Sequence, residues 1–307
     1  MNRRVWIGTA GALSMAGLGG FLYRMAPSFW RQYASELQRP IADATRRPAP
    51  AQWPDRGLFG AWLGHSTVLL KVDGVTILTD PVFSDRVGID LGVTTIGVKR
   101  LVEPALRDFE LPKVDLILLS HAHFDHFDTP SLRALESGQT TVITASQTSD
   151  LLRVNKYGAV HELAWGARAY AGSVAAQAIE VNHWGARVRT DTWRGYNGYV
   201  LEAGRYRILF AGDTAITRTF GSVKSSRPFD LAIMPIGAYD PWIRYHCTPE
   251  QALAMGEMAG ADRFVPVHHQ TFQLSREPHT EPIERFCQAA GEGARVLARQ
   301  IGDEFQV

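Results

Sequence analysis

The chain has 307 residues, 45% of them hydrophobic and 21% charged, with a formal net charge of +1. That is the composition of a globular protein with ample core material, long enough for one large α/β domain or two small ones. Near-neutrality removes the electrostatic case for nucleic acid, and two cysteines, Cys247 and Cys287, are too few for a disulfide-built scaffold.

Arg3 and Arg4 precede an uncharged stretch, Val5–Tyr23. As a helix it would reach about 28 Å, near the hydrocarbon thickness of a bilayer. A positive start followed by an apolar run predicts an export signal or an uncleaved membrane anchor over residues 1–25, and with it a bacterial inner-membrane or periplasmic location. A buried N-terminal helix is the alternative. Residues 26–55 read as a proline-rich tether, because Pro27, Pro40, Pro48, Pro50 and Pro54 interrupt any long helix. Within it Trp30, Tyr33 and Leu37 fall at helical spacing and predict one short amphipathic helix, lying on the domain or on a membrane surface.

Residues 56–307 carry a different texture. Leu58–Leu63 and Val68–Val72 predict strands, and Asp73-Gly74 a tight hairpin turn into Val75–Thr79. The continuous apolar run Val114–Leu119 suits a strand buried on both faces. Pro130–Glu136 predicts a short helix capped by Thr129, Thr140–Ala145 a strand, and Gln147–Lys156 another helix. Ala175–Val181, Tyr196–Ala203, Tyr206–Ala211 and Leu231–Pro235 are strand-like. Thr248-Pro249 opens a helix to Ala259, with the hydroxyl as cap and proline at the first position. Phe264–Val267 is a last strand and Glu281–Ala290 a last helix. Hairpins first, then strands alternating with helices, predict two mixed sheets covered by helices on their outer faces.

The chemistry concentrates in Ser120-His121-Ala122-His123-Phe124-Asp125-His126, directly after the buried run. Imidazole and carboxylate are the ligands that zinc and similar divalent ions accept. In extended backbone His121 and His123 point to one side, and Asp125 and His126 follow as the chain turns. The competing reading is a polar surface loop. Three histidines on a single ion, which would leave Asp125 without a role, is also open.

The motif His121-x-His123-x-Asp125-His126 resembles the signature of the metallo-β-lactamase superfamily. Leu63-Gly64-His65-Ser66-Thr67, Thr79-Asp80-Pro81-Val82-Phe83, Asn182-His183-Trp184, Gly212-Asp213-Thr214, Ile236-Gly237-Ala238-Tyr239 and Val267-His268 with Thr271-Phe272 are similar to its branch of N-acyl-phosphatidylethanolamine-hydrolysing phospholipase D and bacterial lactonase-like hydrolases. The resemblance covers residues 53–278. It implies an αββα sandwich and two divalent ions, zinc before iron or manganese. His121, His123 and His183 would hold one ion and Asp125, His126 and His268 the other, with Asp213 bridging. It implies hydrolysis by a hydroxide shared between the ions, oriented by Asp125. The expected substrate is a phospholipid-like phosphodiester, or alternatively a lactone or acyl compound; a non-catalytic metal-binding protein is a third reading. His246 occupies a place near the substrate in that branch and would act on developing charge or a leaving group, although Cys247 and Thr248 depart from the branch's usual residues; otherwise it is a surface histidine at a helix start. The register of Thr271-Phe272 favours His268 over His269 as ligand. His65 would orient a ligand from behind. The expected partners are a small-molecule or lipid-like substrate and a membrane, through the N-terminal segment.

Overall fold

The computed structural model describes residues 27–291 and 294–307. Arg3, Arg4 and Val5–Tyr23, the candidate anchor, lie outside the described residues. Among the described residues no helix is long and apolar enough to cross a membrane.

Helix α1 (Pro27–Glu36) comes first. It is followed by β1 (Leu58–Gly64), β2 (Thr67–Val72), β3 (Val75–Thr79), β4 (Arg86–Asp90), β5 (Thr95–Lys99), β6 (Leu116–Leu118), α2 (Thr129–Ala134), β7 (Thr141–Ala145) and β8 (Ala159–Leu163). Then come β9 (Arg168–Ala171), β10 (Val174–Ile179), β11 (Gly198–Ala203), β12 (Tyr206–Phe210), β13 (Leu231–Pro235), α3 (Pro249–Ala259), β14 (Phe264–Val267), α4 (Glu281–Ala290) and β15 (Glu304–Gln306).

One sheet of seven strands runs β15-β1-β2-β3-β6-β7-β8, and one of six runs β14-β13-β12-β11-β10-β9. Both are mixed. The β1-β2-β3 meander is antiparallel, and β3-β6-β7-β8 is parallel. In the second sheet β9 to β12 pair antiparallel, and β12-β13-β14 parallel. Strand alternation decides which layer each side chain enters. Ile208 and Phe210 of β12, with Ile233 of β13, share one buried cluster with Leu69 and Ile117 of the seven-stranded sheet. Leu209 and Met234 point the other way, onto Leu253 of α3 and Phe286 of α4. Each such side chain, fully buried, contributes about 1.5–3 kcal/mol. The expected αββα arrangement is the one observed.

Three local expectations need correction. Gln147–Lys156 is not a helix but two separate 3-10 turns, Ser149–Leu151 and Val154–Lys156. The Glu162 carboxylate accepts from the amides of Gln147, Thr148 and Ser149 and pulls the segment into a turn. Helix α2 starts at Thr129 itself, with Asp128 in the cap position and no side-chain cap bond. The segment 86–99, for which the sequence predicts no strand, is a hairpin of its own, β4 paired with β5. By contrast α3 starts as its sequence requires, with the Thr248 hydroxyl accepting from Gln251 N and Pro249 behind it.

Helix α1 rests against this hairpin. Arg86 lies over the Tyr33 ring and pairs with the buried Glu36 at 3.0 Å. Residues 39–53 then run along the domain surface, fastened by Arg39 to the carbonyls of Lys99 and Arg100 and by Trp53 Nε1 to Glu304.

Candidate metal centre

Every candidate ligand stands just beyond the end of a strand. His65 is in the β1–β2 turn and Asp80 follows β3. The His121–His126 segment leaves β6, His183 follows β10, Asp213 follows β12, and His268 follows β14. The two sheets thus deliver their ligands to one edge. The backbone there is strained: of the seven non-glycine residues with positive φ among the described residues, His65, Asp80, Ala238 and His268 border the site. Such conformations persist where surrounding structure enforces them, and they collect at functional sites. Gly212, at φ +60°, has a further reason to be glycine. A Cβ there would come within 2.6 Å of the Asn197 carbonyl and 2.8 Å of Ser120 Cβ.

Two groups of nitrogen and oxygen atoms result. In the first, His121 Nε2 and His183 Nε2 lie 2.8 and 3.3 Å from His123 Nδ1. In the second, His65, Asp125, His126 and His268 converge, with Asp125 Oδ2 2.9 Å from His65 Nε2 and 3.4 Å from His268 Nε2. Asp213 lies between the groups. Its Oδ2 is 3.1 Å from both His126 Nε2 and His268 Nε2 and 3.9 Å from His183 Nε2.

The outward nitrogen of three of these rings is held in place. His183 Nδ1 lies 2.8 Å from the Tyr245 carbonyl, His121 Nδ1 2.8 Å from Ser120 Oγ, and His126 Nδ1 2.6 Å from Asp80 Oδ2. A proton held on Nδ1 leaves the Nε2 lone pair aimed inward, as ligating histidines require. Asp80 was part of a recognised motif without an assigned role. It is fully buried and accepts from both Ser120 N and Ser120 Oγ as well as facing His126.

Electrostatics favour cations here. Burial holds His121 and His183 well below the ordinary histidine value, and His65 at about 3. These rings are therefore neutral, the form that binds metal. Burial also opposes charge on His268 and His126, yet Asp213 and Asp125 outweigh it, bringing His268 to about 9 and His126 well above its ordinary value. Burial alone would raise Asp125 and Asp213. Neighbouring histidines, His126 first, keep both well below the usual carboxylate range.

The donor set fits divalent ions by a second test. His126 Nε2, His268 Nε2 and Asp213 Oδ1 are buried without a hydrogen-bond partner. Buried polar atoms rarely go unpaired unless something absent from the protein chain completes them.

The other candidates separate cleanly. His246 is on the cavity wall, with Nδ1 3.8 Å from Asp213 Oδ2, rather than on the outer surface. His269 is buried away from the cavity, stacked on Trp62 at 4.4 Å. Trp184, 40% exposed, lines the cavity beside His123. Sequence reasoning missed Arg187, which lines the same cavity and donates to the carbonyls of Ala122 and Phe127 within the ligand segment.

The family model described as "Beta-lactamase superfamily domain" matches residues 75–269. An uncharacterized protein of Mycobacterium tuberculosis is 32% identical over 269 residues, covering 83% of this chain and 71% of the relative. An N-acyl-phosphatidylethanolamine-hydrolyzing phospholipase D of Caenorhabditis elegans is 28% identical, covering 75% of this chain and 69% of its own. Among solved structures, a metallo hydrolase from the archaeon Ignicoccus hospitalis superposes with a TM-score of 0.59 at 20% identity, over 82% of this chain and all of the other. The chain therefore belongs to the beta-lactamase superfamily, as a metal-dependent hydrolase.

Proposed function

We propose that this chain holds two divalent ions, zinc before iron or manganese, and hydrolyses a phosphodiester bond in a lipid-like substrate. His121, His123 and His183 would hold one ion. Asp125, His126 and His268 would hold the other, with Asp213 between them. The observation that carries this is the pair of converging donor groups, flanking Asp213 and left with unpartnered buried atoms.

When bound, such ions lower the pKa of water toward neutrality and stabilise charge on the attacked oxygen. The chain's own residues supply the rest. Asp125, fixed by His65 at 2.9 Å, is positioned to accept a proton and orient the attacking water. His246 stands on the cavity wall, Nδ1 3.8 Å from Asp213 Oδ2, and would donate a hydrogen bond to a leaving oxygen as a ring that burial keeps neutral, at about 4. The cavity above measures about 380 Å³ and opens to solvent. Its walls are apolar, with Val87, Val98, Phe124, Trp184, Trp242 and Leu274 facing it. Apolar walls over a polar floor suit a substrate with a hydrocarbon part and a reactive headgroup, and the phospholipase D among the relatives supports the phosphodiester.

The test is elemental analysis of the full chain beside turnover of a diacyl phosphodiester, a lactone and a β-lactam. We expect about two ions per chain, fewer in His183→Ala, and turnover of the phosphodiester. Lactone turnover alone would move the reading to acyl hydrolysis. A metal-free wild type, without turnover when reloaded, would end it.

A further inference from the structure

Two arginines in one loop are treated differently. Arg194 pairs with two carboxylates, Asp191 at 2.6 Å and Asp150 at 2.5 Å. Arg187, seven positions earlier in the sequence, is half-buried and has no carboxylate oxygen within 4.0 Å among the described residues. The nearby acids are engaged elsewhere. Asp191 accepts from Val188 N and Arg194, Asp128 from the hydroxyls of Ser84 and Ser131, and Asp125 faces His65 and His268. Burial lowers Arg187 to about 10, which still leaves it charged at neutral pH.

The guanidinium is also oriented. Its Cζ lies over the Phe124 ring, 4.2 Å from the centroid. Its Nη1 donates to the carbonyls of Ala122 at 2.9 Å and Phe127 at 2.8 Å, which fixes it to both ends of the ligand segment. No described residue accepts from Nε or Nη2, and the side chain lines the cavity floored by His123, Asp125 and Asp213. Nε–H and Nη2–H form the edge of a guanidinium that matches two oxygens of a phosphate side-on. A charge held rigidly at the rim of a reactive cavity, with that edge vacant, is arranged for an anion.

We infer that Arg187 recognises the anionic oxygens of the substrate, and so selects a phosphodiester monoanion over a neutral ester of the same shape. This rests on the phosphodiester reading above and adds a residue that determines specificity. Arg187 is a binding residue through its vacant edge and a positioning residue through its Nη1 bonds, and the two roles give different results on mutation.

The test measures binding, without turnover, of methyl phenyl phosphate, an anion, and of dimethyl phenyl phosphate, its neutral counterpart. Calorimetry on the full chain, chelated and metal-loaded, gives both affinities. Wild type should prefer the anion by about tenfold or more, the usual scale of a charge-assisted bidentate contact. In the chelated chain Arg187→Gln, which keeps a donor for the carbonyls but loses the charge, should abolish that preference while the neutral ligand binds as before. Arg187→Lys should keep part of the preference. Equal wild-type affinities overturn the inference, as does an unchanged preference in Arg187→Gln. Parallel weakening of both ligands would assign Arg187 a bracing role alone. Turnover of bis(4-nitrophenyl) phosphate by the loaded wild type is scored separately. Its absence would count against the phosphodiester reading while leaving the anion preference measurable.

Discussion

Asp80 shows how one buried side chain can govern a ligand it never replaces. Its carboxylate accepts from Ser120 N at 2.7 Å and Ser120 Oγ at 2.6 Å, and its Oδ2 faces His126 Nδ1 at 2.6 Å. In Asp80→Asn the amide oxygen can keep the Ser120 N bond. The amide NH2 then points at the N–H of His126, donor against donor. The ring escapes by moving its proton to Nε2, the atom that faces Asp213. Loss of such supporting partners costs roughly 10–100-fold in metal affinity. We expect that loss at the ion assigned to Asp125, His126 and His268, with turnover recovering in excess metal. Titration against a chelator of known affinity measures it, and wild-type affinity in the variant would disprove the role. Asp80 and Arg187 were poorly legible in the sequence for the same reason. Their partners, Ser120 and His126 for one, the carbonyls of Ala122 and Phe127 for the other, lie 40 to 65 residues away. His121, His123, Asp125 and His126 were legible because they are nearly consecutive.

At the scale of elements, the β4–β5 hairpin forms the cavity's apolar wall. Val87 pairs with Val98 and Ile89 with Ile96, so one face of the ladder is apolar. Its base packs on Phe272, Phe124 and Leu274. Gly88 sits opposite Gly97, and the strands close tightly there. A Cβ on Gly97 would overlap the Val87 carbonyl oxygen and come within 2.7 Å of Gly88 Cα. Gly97→Ala should therefore part the strands and displace Val87 and Val98. Loss of that wall weakens an apolar substrate by about fivefold in KM, the equivalent of ~1 kcal/mol of buried contact. The two main sheets are not part of this ladder, so the melting temperature should move by no more than about 4 °C. Gly138→Ala, with nothing within 4 Å of its Cβ, is the control. An unchanged KM in Gly97→Ala would show that the hairpin does not shape the cavity. The β2–β3 hairpin was readable because Asp73-Gly74 stands between two β-rich runs. In β4–β5 the same alternation is present, but the glycine pair that lets the strands close reads locally as a break. Gln147–Lys156 failed in the opposite way. Its sequence holds no proline or glycine to stop a helix, and only the distant Glu162 shows that its first amides are taken.

At the scale of the molecule, the metal centre lies where the two sheets meet. His65, Asp80 and the His121–His126 segment belong to the seven-stranded sheet. His183, Asp213 and His268 belong to the six-stranded one. Few backbone bonds cross between them at this edge; His268 N to the His65 carbonyl and Asn197 N to the Ser120 carbonyl are two. Ions held by both sheets would add links that the unfolded chain cannot make. Binding to the folded state alone stabilises it by mass action, by about 2.7 kcal/mol at a free ion concentration one hundred times Kd. For a domain of this size that corresponds to a rise in melting temperature of about 5–10 °C. Chelation should remove this increment, and reloading should restore it. The effect should be smaller in His183→Ala, which lacks a ligand from the second sheet, than in the intact protein. A structural fold with an incidental metal would behave otherwise, keeping its melting temperature after verified removal of the ions. Calorimetry with and without chelator, read beside elemental analysis of the same samples, decides between them. Equal melting temperatures in metal-loaded and metal-stripped protein would mean that the sheets are held together by their apolar core alone.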